Sequence, residues 1–220
     1  MTYLELVNEV LIRMREDTVA SLGASRLTLT EDPVVDIVKL AVNDAKELVE
    51  KAHQWNALRN DWTVTMAAGT HTYALTDASS DATVESVYDN RGVALRNVPL
   101  ASIHKKAAVS STQNHPMYWA ASGVDSNGDL SVRFFPTPNA SSDVTVHGFS
   151  RSGPLDTNTD VLLVPAQPVI YYAFALASRE RGESGGAQAG ELFAMADQYL
   201  KDAIAVDAAV SDLDNDWIVR

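Results

Sequence analysis

The chain has 220 residues, 46% hydrophobic and 21% charged, so it can bury one sizeable core or two modest ones. Its formal net charge of −12 argues against a protein that grips nucleic-acid phosphates through clustered Lys and Arg. The absence of cysteine excludes disulfides, thiolate metal sites and thiol nucleophiles, and it favours maturation in a reducing cytosol.

The N-terminal sequence MTYLELVNEV carries acidic residues where a signal peptide would carry Lys or Arg. No apolar run approaches the roughly twenty residues that a membrane-spanning helix needs. We therefore expect a protein with no membrane partner and no targeting segment.

The N-terminal part of the chain is predicted to be helical. Thr2 and Glu5 form a capping-box pattern, and apolar residues at three- and four-residue steps predict a helix over residues 3–16. Asp32 and Pro33 are typical of a second helix start. The predicted buried stripe of this second helix is Val34, Val38, Ala41, Ala45, Leu48, Ala52 and Trp55. Its polar residues, including Lys39, Asn43, Lys46 and Glu50, are assigned to the other faces.

Two further helices are predicted near the C-terminus. The segment Val164-Pro-Ala-Gln-Pro168 precedes an apolar helix over residues 169–181, with Tyr172, Ala173, Leu176 and Ala177 toward the core. Glycines over residues 182–186 end it. A last helix runs from about residue 187 to residue 210. Its predicted stripe consists of Leu192, Met195 or Ala196, Tyr199, Ala203, Val206 and Val210.

Residues 211–220, called the C-terminal arm below, differ from the helix before them. Three aspartates disfavour a helix C-terminus, while three apolar side chains beside them are costly to leave in water. Either the arm docks on a partner or it folds back on its own bundle. The candidate contact residues are Asp212, Asp214, Asp216, Trp217, Ile218 and Val219.

The middle of the chain is predicted to be β structure. Runs at 62–67 and 70–75 are joined at Ala68-Gly69, which indicates a hairpin. Further strands are predicted at 83–88, 92–97, 117–121, 130–135 and 143–149. Asn127-Gly128 predicts a tight turn between two of them. Residues 101–116 have no apolar periodicity and are predicted to form an exposed loop.

These patterns predict an α+β fold: a four-helix bundle built from both chain ends, with an inserted antiparallel β domain that is a small sandwich or an open barrel. The predicted divisions are 1–61 and 162–210 for the bundle, 62–161 for the β domain and 211–220 for the arm. Helices with alanine-rich stripes indicate close packing on other helices.

No residue pattern predicts catalysis, a cofactor or a metal. The histidines show no zinc-binding spacing and are expected at surface or boundary positions: His53, His71, His104, His115 and His147. Asp125, Asn127 and Asp129 resemble the start of a calcium loop, but its closing carboxylate is missing, so a turn is favoured. Residues 182–186 lack the Lys of a phosphate loop, and no serine lies in a G-x-S-x-G elbow. We expect a non-enzyme.

The order of elements resembles the head-to-tail adaptor proteins of tailed phages, near the tail tubular protein A and portal-binding adaptor group. The resemblance covers essentially the whole chain. It is carried by Gln54-Trp55-Asn56 before the first strand, by Phe134-Phe135-Pro136-Thr137-Pro138 at the end of the β insert, and by the Pro165-x-x-Pro168 opening of a glycine-split helix pair.

The resemblance implies a structural virion protein of the phage neck, made in the host cytoplasm. It implies a homo-oligomeric ring of about twelve copies beneath the portal, which contacts portal and tail or nozzle proteins. Genomic DNA would pass through the ring without sequence-specific binding. On this interpretation, the C-terminal arm would contact the portal or a neighbouring subunit. The alternatives are another virion component, such as a tail-completion or baseplate protein, or a bacterial peptide-binding β module.

Overall fold

The structure, a computed structural model, describes residues 1–110, 113–182 and 187–215. The chain divides into two compact units. The helical unit comprises Met1–Ala57 and Gly153–Arg220, and the β unit comprises Leu58–Ser152. The predicted α+β class is confirmed, because each unit is dominated by a different type of secondary structure.

The helices are α1 (Tyr3–Arg13), α2 (Pro33–Ala52), α3 (Leu100–Val109), α4 (Ala166–Glu180) and α5 (Ala187–Asn215). The strands are β1 (Arg59–Met66), β2 (Thr72–Ala74), β3 (Thr83–Asp89), β4 (Arg96–Asn97), β5 (Tyr118–Val124), β6 (Leu130–Phe135) and β7 (Ser142–Phe149). A short 3-10 helix occupies Asn56–Leu58.

Both predicted N-terminal caps are present. The Thr2 hydroxyl accepts the Glu5 N–H, and the Glu5 carboxylate accepts the Thr2 N–H at 2.8 Å, which completes the capping box of α1. Asp32 caps α2 by accepting the Val34 N–H at 2.8 Å. The helix α1 ends at Arg13, three residues before the predicted end.

The helical unit is built around α4. Helix α2 packs against α4, α4 packs against α5, and α1 packs against both α2 and α4. Five apolar residues of α1 are fully buried in this core: Tyr3, Leu6, Val7, Val10 and Leu11. Helices from both chain ends therefore share one core, while the four-helix bundle arrangement stays a prediction.

The predicted stripe of α2 is partly wrong. Leu48 is 48% exposed, whereas the adjacent Val49 is fully buried. The buried residues that follow one another at steps of three or four are Val35, Val38, Val42, Ala45 and Val49. This set has the same three- and four-residue period but is rotated around the helix, because α2 must cover both α1 and α4.

The β unit contains two sheets and does not close into a barrel. One sheet has the order β1-β7-β3 and the other has the order β2-β6-β5-β4. Strands β4 and β5 pair in parallel, which corrects the all-antiparallel prediction. Both sheets contribute to one hydrophobic core, which includes Trp62, Val87, Trp119, Phe134 and Val146.

The predicted hairpin at Ala68-Gly69 is wrong, because its two strands belong to different sheets. Strand β1 pairs along its length with β7, and β2 pairs with β6. The turn is tied to a distant segment, since the Gly69 N–H donates to the Pro138 carbonyl at 2.9 Å. The predicted tight turn at Asn127-Gly128 is confirmed between β5 and β6.

The predicted loop over residues 101–116 is also wrong, because most of it forms α3. Only Ile103 of this helix is buried, so the sequence has no repeating apolar stripe to reveal it. Alanine and lysine are strong helix formers, and α3 packs on β5 and β6.

Candidate functional site

An open groove of about 570 Å³ lies beside α3 in the β unit. Helix α3 supplies Ser102, Lys105, Lys106 and Val109, and the end of β6 supplies Phe135 and Pro136. We call this feature the α3 groove. Val109 is 84% exposed, and Met117, just before β5, is 61% exposed, so apolar surface borders the lysines.

The residues of the α3 groove are positioned by the helix period. Ser102, Lys105, Lys106 and Val109 follow one face of α3, while Ile103 is fully buried. The Lys106 amine lies 5.0 Å from the centre of the Tyr118 ring on β5, a cation–π geometry. Packing through Ile103 therefore keeps the lysine face of α3 outward.

Positive charge continues from the groove along β6. The Arg133 guanidinium lies 3.4 Å from His104 Nε2, and Arg133 is two residues before Phe135, on the same face of the strand. Burial, with the nearby Arg133 and His104, lowers the pKa of His71. In the part of the chain that the structure describes, no carboxylate oxygen lies within 4.0 Å of the Lys105, Lys106 or Arg133 nitrogens.

Charge is divided unevenly between the units. The helical unit carries ten Lys and Arg against 21 Asp and Glu, whereas the β unit carries seven against eight. The acidity of the chain therefore resides in the helical unit. The cluster beside α3 is a local positive region on a nearly neutral unit.

The predicted contact residues of the C-terminal arm fall at the end of the described chain. Asp212 and Asp214 lie in α5, which continues to Asn215, so the prediction that aspartates end the helix near residue 210 is wrong. An aspartate in a helix costs less than about 0.7 kcal/mol of free energy relative to alanine, which is too little to end a long helix. Asp216, Trp217, Ile218 and Val219 lie outside the described residues.

The stripe predicted for α5 is buried only at its start. Ala196 is fully buried, but Met195 is 45% exposed, Val206 is 69% exposed and Val210 is 54% exposed. Helix α5 has 29 residues and α4 has 15, which correspond to about 44 Å and 22 Å. A helix twice as long as the one it packs on leaves part of its apolar face uncovered.

Sequence reasoning missed a buried polar row on α2. Lys39, Lys46 and Glu50 are at most 4% exposed, although they were assigned to outer faces. The Lys39 amine donates to the Thr28 carbonyl at 2.6 Å, and the Lys46 amine donates to the Gly153 carbonyl at 2.9 Å. Their spacing follows the same period as the valines, which is the signal that could have revealed them.

Asn43 joins three segments of the helical unit. Its Oδ1 accepts the Leu155 N–H at 2.8 Å, and its Nδ2 donates to the Leu155 carbonyl at 3.1 Å. The same Nδ2 donates to the Tyr3 hydroxyl at 3.1 Å, and that hydroxyl donates to the Lys39 carbonyl at 2.8 Å. These polar contacts are structural, because each polar group forms its hydrogen bonds with backbone or side-chain atoms of the same unit.

Asp89 forms the most densely bonded carboxylate of the β unit. Its side chain is 1% exposed and accepts the backbone N–H groups of Arg91 and Val93, the Arg91 guanidinium at 2.7 Å and His115 Nε2 at 2.9 Å. Burial alone would raise the pKa of Asp89, but these hydrogen bonds outweigh it and hold the pKa well below its usual range.

The remaining motifs occupy ordinary structural positions. All five histidines are exposed or half-buried, as predicted. The Asp125 carboxylate accepts the N–H groups of Asn127 and Asp129, which confirms a turn. Gly182 has a φ of 69° at the end of α4, while residues 183–186 lie outside the described chain. Among the described residues, no group of three His, Cys, Asp or Glu could hold a metal ion.

The comparison with protein families decides which kind of protein carries these surfaces. The family model of the SU10 adaptor protein matches residues 1–217, almost the whole chain. The chain belongs to the SU10 adaptor protein family. This confirms the resemblance to phage head-to-tail adaptors. A comparison with curated proteins finds no match.

Membership in this family indicates a structural head-to-tail role for the adaptor and favours a non-enzymatic protein. It points to a component of the virion that contacts other head or tail proteins. Over the residues described, no helix of the adaptor is both long and apolar enough to cross a membrane.

Proposed function

We propose that this adaptor forms a closed ring of about twelve copies between the portal and the tail of the virion, in the neck. The ring would continue the channel through which genomic DNA leaves the head. Family membership supports the head-to-tail role. The observation that carries the ring is the apolar surface exposed on α2 and α5.

This apolar surface has the spacing of a contact face. On α2, Leu40 is 49% exposed and Leu48 is 48% exposed, and the two residues are about two helical turns apart. On α5, Val206 and Val210 are one turn apart and more than half exposed. Large apolar side chains aligned along a helix are costly to leave in water, and burial against a neighbouring copy stabilises them.

The charge of the adaptor suits passage of DNA without retention. Each copy carries a net charge of −12, concentrated in the helical unit. A ring multiplies this charge, and a negative channel wall repels phosphate groups. The adaptor should therefore pass genomic DNA while it binds portal and tail proteins on its two ends.

Negative-stain images and native mass spectrometry test the ring, on the adaptor alone and mixed with a portal. We expect Leu48→Asp to abolish the ring while the circular dichroism spectrum stays unchanged, because an exposed position tolerates the charge in a monomer. Val124→Asp is the matched control, since Val124 is 53% exposed but lies in the β5–β6 hairpin. A wild-type adaptor that remains monomeric alone and with portal would refute the proposal.

A further inference from the structure

We propose that the α3 groove binds the C-terminal arm of a second copy of this chain. The inference rests on the proposed ring, which would hold neighbouring copies at fixed positions. It assigns a receptor to the arm, whose partner the sequence left open between the portal and a neighbouring subunit.

The groove offers two kinds of contact side by side. Its lining includes the apolar side chains of Val109, Phe135 and Pro136. Its α3 side carries Lys105 and Lys106, both exposed. Apolar surface with a cationic border selects a segment that presents apolar side chains next to carboxylates.

The arm has this composition. Asp212, Asp214 and Asp216 alternate along it, and Trp217, Ile218 and Val219 follow directly. The volume of the groove, about 570 Å³, is within the range of pockets that enclose a small ligand and can receive one or two large side chains. Buried aromatic side chains next to charged partners are typical of interface hot spots.

Charge complementarity favours the arm as the bound segment, and the proposed ring supplies it from a neighbouring copy. The lysines and Arg133 have no carboxylate within 4.0 Å in the described part of the chain, so they offer positive charge to an incoming group. Three aspartates on the arm match this charge. Each contact between an arm and a groove would be weak by itself. A closed ring repeats the contact at every subunit boundary and raises the effective concentration of the arm near the groove.

The absence of cysteine from the chain makes a direct test possible. Two single-cysteine proteins, Val109→Cys and Ile218→Cys, are purified separately, mixed and oxidised, and the linked peptides are identified by mass spectrometry. We expect a disulfide between the two proteins, because binding of the arm in the groove would bring residue 218 of one copy close to residue 109 of the other. A disulfide forms only where the two Cα atoms come within about 7 Å of each other. Val124→Cys mixed with Ile218→Cys is the control and should give no bridge.

A charge swap tests the recognition. We expect Lys105→Glu with Lys106→Glu to reduce the bridge yield about tenfold, and Asp214→Lys with Asp216→Lys in the arm to restore it. Lys201→Glu, an exposed lysine on α5, should leave the yield unchanged. A bridge yield no higher than that of the Val124 control, or one indifferent to both charge reversals, would overturn the inference.

Images of the same mixtures separate the two proposals. Rings without the bridge would overturn this inference and leave the proposed function standing. A charge-sensitive bridge in protein that forms no rings would support arm binding and count against the proposed ring. If the arm bridges to a portal cysteine but not to Val109→Cys, its receptor is the portal and the inference is wrong.

Discussion

Asn43→Ala should destabilise the helical unit far more than its place on a polar helix face suggests. The substitution removes the acceptor for the Leu155 N–H and the donor to the Leu155 carbonyl. Leu155 is 4% exposed, so water cannot easily replace these bonds. An unsatisfied buried polar group costs about 1–3 kcal/mol, so we expect a loss of about 2–4 kcal/mol in the free energy of unfolding.

Thermal and urea unfolding followed by circular dichroism at 222 nm measure this loss. For a chain of this length, the Tm should fall by roughly 4–16 °C. Asn43→Leu keeps most of the side-chain volume without the hydrogen bonds and should be equally damaging. Asp44→Ala changes an exposed neighbour on α2 and should stay within about 0.5 kcal/mol of the wild type.

The three variants separate the hydrogen bonds of Asn43 from its packing volume. If Asn43→Ala is no more destabilising than Asp44→Ala, the hydrogen bonds to Leu155 do not hold the return segment against α2. If Asn43→Leu is stable while Asn43→Ala is not, packing volume matters and the hydrogen bonds do not.

Two further predictions follow from burial and charge. Val49→Ala should lower the free energy of unfolding in urea by about 1.5–3 kcal/mol, because Val49 is fully buried. Leu48→Ala should lower it by less than about 0.5 kcal/mol, because Leu48 is 48% exposed. Equal losses would show that the buried face of α2 is misassigned. Because the pKa of Asp89 is lowered in the folded state, its carboxylate stabilises the β unit above about pH 4, and that stabilisation is lost as the pH falls toward the lower folded pKa. Asp89→Asn should therefore cost about 1–3 kcal/mol at pH 7 and flatten the dependence of the urea midpoint on pH between about 4 and 2; an unchanged pH profile would contradict it.

Much of the local structure was predictable from short-range patterns. The caps at Thr2 and Asp32, the turn at Asn127-Gly128 and the α+β order depend on residues within a few positions of one another. Such signals survive in the sequence because the contacts that they describe are local. The family resemblance came from the order of these elements, and the comparison confirmed it.

The errors arose where distant residues decide the structure. Ala68-Gly69 has hairpin chemistry, but β1 pairs with the distant β7, and Trp62, Val64 and Met66 of β1 lie in the core that the two sheets share. Helix α3 shows no apolar stripe, because Ile103 is its only buried residue where it packs on β5 and β6.

The sequence by itself determined the composition of the surfaces: an acidic helical part, a cysteine-free chain and an arm that combines aspartates with apolar residues. Tertiary structure decided which of these groups meet. In the folded chain, Lys39 and Lys46 of α2 are buried, where backbone carbonyls accept their hydrogen bonds and Asp36 and Glu50 pair with their charges. Lys105 and Lys106 of α3 are exposed beside an apolar groove. A lysine looks the same in sequence at both places, because its burial depends on which distant segment supplies the acceptors.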